Sequence, residues 1–178
     1  MDAIENIIKQ EPKSSLKHFK KGDIIQFSKS TNAQAFYVKK GLLRSYISDS
    51  DGKEHIYMFA PEGWIIGDIE AIGYEQETEL IIDCLEDSEV IVFDKHGLFN
   101  QRLDKQQLIE NVGLLTRRVG RLQRRVLMLM GAPAADRYKY FLKIYPDLNN
   151  RIPQKMIASY LGIAPQTLST IRGKIARH

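Results

Sequence analysis

Residues 154–172 read QKMIASYLGIAPQTLSTIR, two short apolar-periodic segments that meet at a glycine. Ile152-Pro153 leads into the first, an expected helix over 154–161. Gly162 ends it, because glycine takes the left-handed backbone of a sharp turn without a Cβ clash. Pro165 opens the second segment, in the first turn of a helix, where a missing N–H costs nothing. Ile157, Leu161, Ile163, Leu168 and Ile171 form a shared apolar face, and Ala158 is small enough for the second helix to pack over it. Two helices joined by three or four residues and crossing steeply make a helix-turn-helix. An Ala-x-x-x-Gly spacing also occurs in ordinary helical hairpins, so the rest of the chain decides what this pair is for.

The outward side of the second segment carries Gln166, Thr167, Ser169, Thr170, Gly173 and Lys174, polar and short enough to enter a DNA major groove. Arg172 lies on the same helix. Charge points the same way. Residues 98–178 carry 15 Lys/Arg against 4 Asp/Glu, a net +11, whereas residues 1–97 carry 11 against 18, a net −7. A solvated basic surface explains a single basic run better than it explains an imbalance sustained over so long a stretch. Double-stranded DNA is the partner that such a segment suits.

Upstream, Leu108, Val112, Leu115, Val119, Leu122, Val126 and Leu129 recur in alternating steps of four and three. This is a heptad with Val at a and Leu at d, which favours a parallel two-stranded coiled coil. Residues 98–131 are therefore expected to form a dimerisation helix whose seam faces a second copy. Arg117, Arg118, Arg121, Arg124 and Arg125 lie off the seam, while Leu114, Leu127 and Met128 widen the apolar face toward the β part of the chain. Gly131 and Pro133 break this helix. A new one over 134 to about 144, with Tyr138, Phe141, Leu142 and Tyr145 as its apolar side, starts a smaller domain over 132–178.

Residues 1–97 form the remaining domain, and 19–95 of it read as β. Six short apolar runs (24–27, 35–38, 42–47, 56–59, 80–84 and 90–93) are separated by turn residues at Lys21-Gly22-Asp23, Lys40-Gly41, Asp51-Gly52 and Pro61-Glu62-Gly63. Short strands at near-regular spacing argue for a small barrel or roll. The Asp51-Gly52 pair is a hairpin signal.

In this order the parts resemble the cyclic-AMP receptor protein and Fnr family of bacterial transcription regulators. The resemblance rests on FKKGDIIQF, AFYVKKGLLRSYISDSDGKE and PEGWIIGDIEAI in the β part, on the heptad, and on IPQKMIASYLGIAPQTLSTIRGKI. It implies an α+β fold: a cyclic-nucleotide-binding-like β-roll, a long dimerisation helix and a C-terminal helix-turn-helix domain. It further implies a cytoplasmic homodimer that reads a two-fold symmetric site, with RNA polymerase as a candidate partner.

Three departures qualify the resemblance. Cyclic-nucleotide-binding members follow a Gly-Glu pair, about ten residues on, with Arg-Ser-Ala or Arg-Thr-Ala, whose Arg neutralises the cyclic phosphate. Here Gly67-Asp68 stands for the first pair, and Thr78 and Glu79, within EQETEL, fall where Arg and Ser would be. Gly67, Asp68, Ile69, Thr78 and Glu79 are the effector-pocket candidates; the effector is unknown, and cyclic AMP is not expected to bind tightly. The chain also stops at His178, which leaves no length for the β-hairpin wing of many members, so part of the phosphate grip is expected to be absent or moved to Lys155, Arg151 and Arg177. On the second helix, Pro165 and Thr170 stand where members place guanine-reading arginines, and Gln166 replaces a common Glu. Gln favours adenine, so the half-site is expected to differ from the best-known family operators.

The alternative is a ligand-sensing roll dimer, or a cupin-like metal or enzyme module, without sequence-specific DNA binding. His18, His55, His96 and His178 never pair at ligand spacing, so no metal or cofactor is expected. Asp68, Glu70, Glu75, Glu77 and Glu79 read as a solvated acidic loop with no nucleophile beside them, so no catalytic residue and no enzyme activity are expected. The single cysteine, Cys84, excludes an internal disulfide framework and a cysteine-held cluster, and its apolar neighbours suggest a buried, inert thiol. No apolar stretch approaches the length of a membrane span.

Overall fold

The computed structural model describes residues 15–93 and 105–175. Arg177, and the terminus at which the wing is expected to be missing, lie outside the described residues. The chain divides into two compact units between Glu110 and Asn111.

Among the described residues, the first unit has eight strands in two antiparallel four-stranded sheets. They are β1 (Ser15–Phe19), β2 (Ile24–Gln26), β3 (Ala35–Lys40), β4 (Leu43–Ser48), β5 (Glu54–Ala60), β6 (Ile65–Ile66), β7 (Ile81–Cys84) and β8 (Ser88–Phe93). One sheet runs β1-β8-β3-β6 and the other β2-β7-β4-β5. Along β8 burial alternates, which sends Val90 and Val92 between the sheets. Phe36, Val38, Leu43, Ile66, Ile82, Cys84, Val90 and Val92 meet there, with Met58 and Trp64 packed alongside. The β4–β5 hairpin pairs Ser48 with Glu54, and in its loop the Asp49 carboxylate accepts the N–H groups of Asp51 and Lys53.

Three features differ from the sequence expectation. Strand β1 begins at Ser15, ahead of the expected start of the β part; its residues are exposed except for half-buried Phe19, so it shows no alternation. Strand β6 is two residues long, too short to carry a pattern. The stretch expected as an acidic loop contains a helix, α1 (Ile69–Tyr74), started by Asp68 and ended by Glu75 in the left-handed conformation. Ala71 and Ile72 of α1 are buried against Ala33, Ala35 and Phe93.

The long helix α2 (Lys105–Gly131) carries the heptad. Leu108, Val112, Leu115, Val119, Val126 and Leu129 are exposed along it and Leu122 is half-buried. Within the second unit, α3 (Ala134–Ile144) follows Pro133, and a 3-10 turn (Leu148–Asn150) leads to α4 (Gln154–Leu161) and α5 (Pro165–Ile175). Tyr138, Phe141, Tyr145, Leu148, Ile157, Leu161 and Leu168 are buried in this unit. Phe141, Tyr145 and Tyr160 form an aromatic triangle with centroids 5.3–5.7 Å apart. No described helix is long and apolar enough to cross a membrane.

Candidate functional site

The effector-pocket candidates divide into a buried and an exposed set. Gly67 is buried where β6 gives way to α1, and a Cβ there would lie 2.9 Å from the Gln34 carbonyl and 3.1 Å from the Ala35 Cα, so only glycine fits without a shift. Asp68 caps α1: its Oδ1 accepts the Ala71 N–H at 3.2 Å, satisfying an otherwise orphan donor of the first turn. Its Oδ2 accepts the Thr78 hydroxyl at 2.8 Å. Thr78, 1% exposed, also accepts from Gln26 Nε2 at 3.2 Å and from the Leu80 N–H at 3.1 Å. Gln26 in turn accepts the Gln34 N–H at 3.0 Å through its Oε1. The Thr78 backbone is paired as well, its N–H donating to the Ser30 carbonyl and its carbonyl accepting from Lys29.

Asp68 and Thr78 thus belong to one hydrogen-bonded group, with buried Gly67 next to Asp68 in the chain, and the residue at the expected arginine position is its hub. Ile69 and Glu79 are exposed and outside that group. Gln26 was not foreseen. Its signal was a polar side chain inside the apolar run IIQF, at a strand position that turns out to be buried.

A second buried polar cluster also lies in the first unit. Arg44 on β4, 5% exposed, donates from Nε and Nη2 to the Asp83 carboxylate, each at 2.8 Å, and from Nη1 and Nη2 to Glu54. Its guanidinium lies 4.2 Å from the Tyr46 ring centroid. Burial disfavours the charge, but the hydrogen bonds to Asp83 and Glu54 outweigh it and hold the Arg44 pKa above its ordinary value. Such a clamped arginine is not free to reach a ligand. Opposite charges inside the runs LLRSYI and LIIDC were the sequence signal for this pair.

Cys84 is 2% exposed, and burial pushes its thiol up to about 12, which keeps it neutral. No group of three or more His, Cys, Asp or Glu among the described residues could hold a metal ion. A surface cavity of about 310 Å³ is lined by His18, Lys20, Asp23, Lys40, Asp87, Glu89 and their neighbours, and none of the effector-pocket candidates contributes to it.

On α5, Gln166, Thr167, Ser169, Thr170 and Lys174 are exposed, as is Lys155 on α4, while Arg172 is half-buried. Leu168 and Ile171 point into the unit. The Thr170 hydroxyl donates to the Gln166 carbonyl at 3.1 Å. Three residues join α4 to α5. Gly162 has φ 64° and ψ 39°, and the Ile163 N–H reaches back to the Ala158 carbonyl at 3.0 Å, closing a Schellman motif. The first turn of α5 carries no acidic residue, and Arg172 and Lys174 lie in its last turn.

Two antiparallel sheets closed over one core, with a capped helix between β6 and β7, define a β-roll module. The chain belongs to the cyclic nucleotide-binding domain family, whose model matches residues 16–105. Solved structures of similar fold include FixK2 from Bradyrhizobium japonicum, at 18% identity over 92% of this chain and 85% of that one, TM-score 0.74. A CooA variant from Carboxydothermus hydrogenoformans is 19% identical over 99% of this chain and 85% of that one, TM-score 0.75. A protein described as a transcriptional regulator of the CRP/FNR family, from Thermus thermophilus, is 18% identical over 92% and 86%, TM-score 0.66. At these identities the likeness establishes the α+β fold, a roll followed by helices. No curated protein matches the chain in sequence.

Proposed function

We propose that the chain is a DNA-binding transcription regulator of the CRP/FNR type, a cytoplasmic homodimer that reads a two-fold symmetric site and catalyses no reaction. The observation that carries this reading is α5: an exposed polar face of Gln166, Thr167, Ser169 and Thr170 held by a glycine turn against α4, in the basic part of the chain. A helix so presented fits a major groove, with Gln166 suited to adenine. Arg172, Lys174 and Lys155 supply positive charge for phosphates. The pair α4–α5 is the helix-turn-helix, the segment 132–178 its domain, and residues 1–97 the roll.

The seam on α2 supports the dimer, since Val112, Val119 and Val126 at a with Leu115, Leu122 and Leu129 at d form an apolar stripe that a second copy covers. Flanking charge favours a parallel pair. Arg118 and Arg125 fall at g, while the e positions are Thr116, Gln123 and Met130. A parallel pair sets g against e of the partner, whereas an antiparallel one sets arginine rows face to face.

Cyclic AMP is not a tight effector on this reading. A cyclic phosphate needs a cation or free N–H donors, but Thr78 is already saturated, Glu79 adds negative charge nearby, and Arg44 is committed to Asp83 and Glu54. Selection of binding sites from a random duplex library tests the proposal: a two-fold symmetric consensus is expected, with affinity falling steeply with salt. Val119→Asp, which puts like charges into the seam, should give a monomer by light scattering and lose the two-fold site. Enrichment of no sequence, or a Val119→Asp dimer, would overturn it, and micromolar cyclic AMP binding by titration calorimetry would overturn the effector statement.

A further inference from the structure

The carbonyls at the end of α4 are all accounted for, but by two different means. A helix leaves its last four carbonyls without intrahelical partners. In α4 these belong to Ala158, Ser159, Tyr160 and Leu161. Ala158 accepts from the Ile163 N–H at 3.0 Å and Ser159 from the Gly162 N–H at 3.1 Å, within the turn itself. The other two are taken by arginines from outside. Arg125 of α2 donates from Nη2 to the Tyr160 carbonyl at 3.2 Å, with its guanidinium 4.1 Å from the Tyr160 ring centroid. Arg137 of α3 donates from Nη1 to the Leu161 carbonyl at 3.1 Å and from Nε to the Ala132 carbonyl, just past the end of α2, at 3.0 Å.

We infer that Arg125 and Arg137 are positioning residues that lock the turn before α5 onto the C-terminal end of α2. Geometry and charge agree on this role. Cations are favoured at a helix C-terminus, where the carbonyl dipoles converge. Arg137 spans two backbone carbonyls with one planar fork, which the single ammonium of lysine does not reproduce. The turn is also braced by the α2 seam, because a Cβ at Gly162 would lie 3.3 Å from Leu129 Cδ2. Leu129 therefore belongs to the heptad and to the seat of the turn at once. The direction in which α5 points is set against α2 by Arg125 and Leu129 of that helix and by Arg137 of α3. If α2 is the dimer helix and α5 the reading helix, as proposed above, the same lock fixes the spacing of the two reading helices.

Pulsed electron-spin measurements decide the inference without DNA and without reliance on the dimer. Labels go at Arg117→Cys on α2 and Thr170→Cys on α5, both exposed, in chains diluted with unlabelled copies so that each distance is measured within one chain. The parent should give one narrow distance distribution. Arg125→Met and Arg137→Met should each broaden it at unchanged helical circular dichroism, and Arg137→Lys should broaden it less. Distributions as narrow as the parent's in folded variants would overturn the inference. Should a methionine variant unfold, Arg137→Lys decides alone, broadening supporting the lock and an unchanged width refuting it.

A second arm uses duplexes carrying the selected site with five base pairs inserted between half-sites, about half a helical turn. The parent should lose at least about tenfold in affinity and the Arg125→Met/Arg137→Met variant less than about threefold, tenfold corresponding to about 1.4 kcal/mol. Equal losses would refute the lock as the device that sets spacing. A parent that selects no site sinks the DNA reading and leaves the spin-label result to decide the lock.

Discussion

Two threonines, one in each unit, mark the difference between the halves of this chain. Thr78 in the roll is almost fully buried, and its hydroxyl serves Asp68, Gln26 and the Leu80 N–H at once. Thr170 on α5 is exposed, and its hydroxyl reaches no further than the Gln166 carbonyl one turn back. The same functional group is internal mortar in one place and outward display in the other. The roll has turned its polar atoms on itself, at Thr78 and again at Arg44, whereas the α5 face leaves Gln166, Thr167 and Ser169 exposed. A polar side chain marks a place for a partner only when the fold has not already used it.

Substitutions should separate the halves by size of effect. The largest is expected for Arg44→Met, which leaves the Asp83 carboxylate buried beside Glu54 without its cation. Removing one partner of a buried pair costs about 3–5 kcal/mol, and urea denaturation should show it. A loss below about 1 kcal/mol would place the cluster among weak surface pairs instead.

Thr78→Val keeps the shape and removes the hydroxyl, stranding Asp68 Oδ2, Gln26 Nε2 and the Leu80 N–H. Unsatisfied buried groups cost about 1–3 kcal/mol, again read in urea. A neutral outcome would mean that water replaces the hydroxyl and that the hub is open to small molecules after all. Gln166→Ala should change stability by no more than about 0.5 kcal/mol yet cut discrimination between the selected site and a mismatched one by about 1–3 kcal/mol, by competition binding. Equal losses on random DNA would remove Gln166 from the base edges.

The smallest effect concerns pH. The Lys20 hydrogen bond, helped by the Lys21 N–H, holds the Asp87 carboxyl below its ordinary pKa, and the His55 hydrogen bond does the same for Asp49. A depressed carboxyl contributes stability above its unfolded pKa and loses it as pH falls through the folded value. Melting temperature should therefore decline slightly more steeply below the ordinary carboxylate range than it does for Asp87→Asn, and salt should shrink the difference because these groups are exposed.

The extent to which the sequence disclosed all this follows from how far apart the interacting residues lie. The α2 heptad spans many turns, so its period was legible from Leu108 to Leu129. The α4–α5 pair announced itself through Gly162 and Pro165, whose backbone demands are local. Strand β1 escaped because SLKHF sits at a sheet edge with little to bury, and α1 because six residues with only Ala71 and Ile72 inside show no periodicity. The Thr78 hub depends on Gln26, 52 residues away, and the Arg137 clamp on Leu161, 24 away. Pairings of that kind are decided when sheets and helices close, and no local pattern encodes them.

Cys84 gives the roll its own clock. It is the only cysteine in the chain, lies between the two sheets, and is kept neutral by burial. The thiolate is the nucleophile that attacks a thiol reagent, so modification waits until the sheets part. When closing is faster than labelling, the rate reads the population of the opened roll. Following that rate with and without the selected duplex would report, on the function proposed above, whether occupation of α5 is felt between the sheets.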